Sequence, residues 1–116
     1  MPWESKVIRF VDNLYVSDKV RSRISVIKWK MACGIGMTGV HFITLSDNAG
    51  DLFDIYPAAV FKQKRIRKSD RVIIGVADSY DSALHVVEDM IGKCMNDCGD
   101  LSDVRGYYEG YIKDHL

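Results

Sequence analysis

Several groups of side chains in this 116-residue sequence have the type and spacing to do chemistry, among them thiols, carboxylates gathered at a turn, and a run of cations. Cys94 and Cys98 lie four apart, which puts two side chains on one face of a helix, and Cys33 or His41 could complete a tetrahedral zinc set. Structural zinc sites usually draw paired ligands from tight knuckles, and the sequence has no second pair. Buried or incidental thiols are the better reading. A thiol nucleophile would need a base beside it, and spacing alone pairs none of His41, His85 and His115 with a cysteine.

Asp47, Asp51 and Asp54 surround a turn and could collect a hard cation. The run from 47 to 51 lacks the alternating oxygen ligands and distal Glu of a calcium loop, and Asx-turn formation accounts for Asp47 and Asn48 with no ligand. His85, Glu88 and Asp89 share the wet face of an expected helix, where an imidazole beside two carboxylates could do acid/base work; a solvated charged face is the usual explanation. Residues 34 to 39 match the string G-x-G-x-x-G. A dinucleotide site needs a strand before that string and a helix after it, whereas Val40, Phe42, Ile43 and Thr44 announce a strand next, so a loop is expected. The nucleophile elbow, the P-loop and the H-E-x-x-H string are all missing from the sequence, so no catalytic residue, metal or cofactor is assigned and an enzyme ranks last.

Charge is sorted along the chain although the total is zero. Residues 1 to 30 carry +4, 31 to 61 carry −3, 62 to 72 carry +5 and 73 to 116 carry −6. The +5 block holds Lys62, Lys64, Arg65, Arg67, Lys68 and Arg71, the candidate contacts for an anion or nucleic acid, since clustered cations neutralise phosphates without reading bases. Lys28 and Lys30 could extend them, and Trp29 could stack bases only if the strand facing given below were reversed. A near-neutral pI and nine acids after residue 72 oppose a dedicated nucleic-acid binder, and a solvated linker is the simpler account of the segment. Tyr107, Tyr108 and Tyr111 complete the candidates: such rings suit an interface, and their helical spacing equally suits a cap on the domain's own core.

The elements that must position these groups follow from periodicity. Trp3, Val7, Phe10, Val11 and Leu14 recur at helical spacing and predict an amphipathic helix over residues 3 to 17. From 23 to 31 the pattern alternates, with Ile27, Trp29 and Met31 on one face and Lys28 and Lys30 on the other, which predicts a half-buried strand. Residues 40 to 45 and 52 to 56 continue this as a meander, and Pro57 opens a short helix over 58 to 63. The apolar run from 72 to 77 predicts a strand buried on both faces. Asp78 or Ser79 then caps a long helix with Ala83, Leu84, Val87, Met90, Ile91 and Cys94 on its inner side. A last short helix over 102 to 112 carries Val104, Tyr108, Tyr111 and Ile112, weakened at Gly106 and Gly110 by about 1 kcal/mol each.

The expected architecture is α+β in a single domain, residues 1 to 116. Its mostly antiparallel four-stranded sheet combines the three-strand meander with one buried strand, and the N-terminal and long helices cover one face. The other face is left wet or meets a second subunit. A chain of this length buries a real core without staples, and 47% hydrophobic with 28% charged residues disfavours long disorder. No apolar run approaches the roughly 20 residues of a bilayer span, the first residues lack a secretory pattern, and three cysteines suit a reducing cytoplasm. The function expected is non-enzymatic: protein contact or self-association, setting the basic segment of one copy against the acidic C-terminal helix of another. The alternative is an accessory nucleic-acid binder using residues 62 to 71.

Overall fold

A computed structural model describes residues 8–33, 35, 37–46, 51–59 and 71–116. Its elements run β1 (Ile8–Val16), α1 (Asp18–Arg21), α2 (Ile24–Ala32), β2 (His41–Leu45), β3 (Phe53–Pro57), β4 (Arg71–Ala77), α3 (Tyr80–Cys98) and α4 (Val104–His115). The four strands form one sheet in the order β1-β4-β2-β3. β2 is antiparallel to both β3 and β4, while β1 runs parallel to β4. The α+β class and a four-stranded sheet agree with expectation, as do the strands β2, β3 and β4; the sheet is mixed rather than purely antiparallel.

β4 lies at the centre because its sequence is apolar on both sides. Ile73 and Val76 are buried against the α1–α2 layer, and Ile74 and Ala77 against α3 and α4. Gly75 sits between them, opposite Ile43 of β2 and Tyr15 of β1. A Cβ at Gly75 would stand 2.8 Å from Ile43 Cδ1 and 3.2 Å from the Tyr15 carbonyl oxygen, so the two ladders close around the absence of a side chain.

Two elements exchange their expected types. Residues 8 to 16 form a strand where the spacing predicts a helix; residues 3 to 7 lie outside the described residues. Between the pairs Phe10 with Ile73 and Tyr15 with Gly75, five steps along β1 oppose two along β4. This bulge resets the strand's alternation. Phe10 faces the α2 side and Val11 the α3 side, so an interrupted strand carries helix-like spacing. Conversely, the expected strand over 23 to 31 is helix α2. Val20, Ile24, Ile27 and Met31 share a helical stripe packed on Phe10, Phe42, Ile73 and Val76. Burial of that stripe outweighs the strand preference of its β-branched residues.

The meander accordingly reduces to the β2–β3 hairpin. The glycine stretch joins a helix to a strand, the reverse of the order a pyrophosphate site needs. Helices cover both faces of the sheet, correcting the expectation of one covered face. Of the short helix expected over 58 to 63, only Ala58 and Ala59 lie among the described residues.

The long helix forms as expected, with Ser79 Oγ accepting from the Ser82 amide at 3.0 Å as its N-cap. Its buried stripe is Ala83, Val86, Met90 and Cys94; Leu84, expected inside, is 41% exposed. In α4 the Asp103 carboxylate accepts from the Gly106 amide at 3.0 Å. A Cβ on Gly106 would meet that carboxylate at 2.1 Å, so this glycine makes room for the cap.

The charge blocks become layers. Residues 18 to 32 hold five cations and one acid on one side of the sheet, and residues 78 to 115 hold three cations and nine acids on the other.

Candidate interaction surfaces

Lys62, Lys64, Arg65, Arg67 and Lys68 lie outside the described residues, and Arg71 opens β4 opposite Ile8. Cys94 is buried in α3, where burial and a hydrogen bond with Cys98 push its thiol up, opposite to what a nucleophile needs. Cys33 is exposed at the end of α2, on the other face of the sheet. Asp47 lies outside the described residues, Asp51 is exposed, and Asp54 accepts a 3.0 Å hydrogen bond from the Tyr56 hydroxyl. His85 Nδ1 stands 3.3 Å from Glu88 Oε1 on the solvated face of α3. Among the described residues, no three His, Cys, Asp or Glu side chains gather to hold a metal ion, and no helix is long and apolar enough to cross a membrane.

The C-terminal tyrosines turn inward. Tyr108 is fully buried at the core's centre, with Tyr107 and Tyr111 half-buried beside it. The Tyr108 hydroxyl donates to the Met90 carbonyl at 2.5 Å, the Tyr107 hydroxyl to Asp97, and the Tyr111 hydroxyl to the Asn13 carbonyl in the β1 bulge. Burial chiefly raises the Tyr108 and Tyr111 hydroxyls, Tyr111 to about 12, and the Asp97 carboxylate raises that of Tyr107. An unfolded tyrosine ionises near pH 10. Stabilisation from these raised groups is therefore complete below pH ~10 and lost as pH climbs through their folded values. Absorbance at 295 nm should show these three rings ionising only in a late alkaline step that coincides with loss of far-UV dichroism. Ionisation near pH 10 with the fold intact would contradict this burial.

At the C-terminal ends of the parallel pair β1 and β4, the chain leaves to opposite faces, the place where open α/β sheets hold ligands. Here polar groups satisfy one another. Ser17 Oγ donates to Asp78 Oδ1 at 3.1 Å and accepts from the Asp78 amide at 3.2 Å, while Ser82 and Ser17 hold the Asp78 carboxyl below its ordinary range. This arrangement latches the two strand ends and helix starts together.

Exposed apolar side chains stand on both sides of the sheet. On α2, Val26 is 52% and Trp29 59% exposed, one turn apart, with Arg23 and Lys30 beside them. On the opposite face, β3 and α3 enclose a groove lined by Leu52, Ile55, Tyr80, Leu84, Val87 and Ile91, with Asp51 and Asp54 as its carboxylates. Behind its Asp51 end, Arg105 fixes the chain by donating to the Ser46 carbonyl at 2.8 Å and the Asp51 carbonyl at 2.5 Å.

No known family, curated protein or solved structure matches this chain. Its surfaces alone must speak for function. Neither was singled out by the sequence pattern, because alternation assigned Trp29 to a buried strand face and helical spacing assigned Leu84 to the core. The signal available was the stripe Val20, Ile24, Ile27 and Met31, which, taken as a helix, leaves Val26 and Trp29 outside.

Proposed function

We propose that this chain is a non-enzymatic intracellular domain that works by protein contact, with a second copy of itself as the partner. The observation carrying this reading is the Val26–Trp29 ridge, two apolar side chains each more than half exposed, one turn apart on a regular helix and flanked by cations. Exposed tryptophan with a polar surround is what contact surfaces use for their central anchors. Every copy also has a basic and an acidic layer, a complementary pair for steering association. A reducing cytoplasm suits the buried thiol of Cys94. Sedimentation velocity over a wide concentration range tests the reading: the weight-average coefficient should rise with concentration, and Trp29→Ala should move that rise to much higher concentration. A monomer throughout would remove it.

A nucleic-acid role has its own supporting observation, since Trp29 is exposed between Lys28 and Lys30. The Lys28 ammonium, however, is turned back over the Phe10 ring at 5.7 Å. Anisotropy of labelled oligonucleotides separates the two readings. Saturable binding that weakens with salt and is lost in Trp29→Ala would favour nucleic acid, whereas flat curves at low salt would leave protein contact.

A further inference from the structure

We infer that the α2 ridge of one copy seats in the β3/α3 groove of the next, so that copies join head to tail. This rests on the reading that the chain works by contact with itself. Shape and polarity agree: the ridge is convex and apolar at Val26 and Trp29, and the groove has Leu52, Tyr80 and Leu84 at 38%, 54% and 41% exposure. Charge agrees as well. Arg23 and Lys30 flank the ridge within the cationic layer, whereas the described groove lining holds the carboxylates Asp51 and Asp54, with Asp81 beside Tyr80 and the Arg105 guanidinium bonded to the Asp51 carbonyl at one end, so acids outnumber cations there. Opposite potentials on the two surfaces favour this pairing and disfavour ridge against ridge or groove against groove.

Placement decides how the contact propagates. α2 packs on β1 at one edge of the sheet and on one face; the groove lies at β3, the other edge, and on the other face. A single partner cannot engage both surfaces at once, so the contact is heterologous and builds strings or rings rather than a closed two-fold pair.

Two full-length variants test this, because each removes one side only and both positions are exposed enough to accept the change. Trp29→Ala keeps the groove, and Leu84→Lys keeps the ridge while placing a cation in its seat. Each alone should associate about thirty-fold more weakly than the parent, the loss typical of a central aromatic anchor. Mixed one to one, they should form a species of twice the monomer mass that does not grow further, and this species should weaken as salt rises. If Leu84→Lys associates like the parent while Trp29→Ala does not, the groove assignment is overturned and the self-contact reading stands. A parent chain that stays monomeric at every concentration overturns both. A mixture that remains monomeric, with each variant melting like the parent, overturns the pairing.

Discussion

Tyr108→Ala is expected to destabilise the fold by about 3–5 kcal/mol, the range for removing a large buried ring. Tyr108 is the largest fully buried side chain among the described residues and the hub of the aromatic cluster. Its ring stands 4.9 Å from Tyr107, 5.6 Å from Phe53, 5.8 Å from Tyr111 and 5.9 Å from Tyr15, all edge-on. Its hydroxyl joins α4 to the middle of α3 through the Met90 carbonyl. Tyr108→Phe keeps the ring and removes the hydroxyl's bond to Met90 together with its longer 3.5 Å approach to the Tyr15 hydroxyl, so it should cost about 1 kcal/mol. Denaturant midpoints at constant slope give both values. An alanine variant within 1 kcal/mol of the parent would place Tyr108 outside the core.

Phe42→Ala is expected to cost a similar amount, about 3–5 kcal/mol, for a reason that separates two architectures. Phe42 is fully buried beneath the α1–α2 layer, edge-on to Phe10 at 5.8 Å. A sheet covered on one face only would bury Tyr108 and leave Phe42 wet, making its truncation nearly neutral. Helices on both faces make the two truncations comparable and, since they sit in separate cores, additive within about 0.5 kcal/mol. Near-neutral behaviour of Phe42→Ala would contradict the three-layer fold.

The second half of the chain was legible because its local signals agree with its tertiary role. The apolar run of β4, the Ser79 cap and the α3 stripe all point the same way. Residues 8 to 32 were not, although β2 and β3 formed where expected, and the cause is specific. The β1 bulge gives Phe10, Val11 and Leu14 the spacing of a helix, while Ile27, Trp29 and Met31 in α2 alternate with lysines as a strand would. Period alone cannot separate these over so few residues, and the contacts of Val20, Ile24, Ile27 and Met31 with the sheet settle the matter. That exchange of types also hid the exposed ridge, since a strand would have buried Trp29. The layered charge was visible as blocks in sequence, but its assignment to opposite faces required the fold.

Contact through the α2 ridge can be read from Trp29 itself. The chain has two tryptophans, and replacing Trp3 by Phe leaves Trp29 as the sole reporter. At low concentration its emission should lie at the long wavelength of a ring in water, as its 59% exposure requires. As concentration rises into the range where sedimentation shows association, the emission should move to shorter wavelength, and Leu84→Lys should abolish the move. Emission that stays at long wavelength while the chain associates would contradict the ridge as the contact.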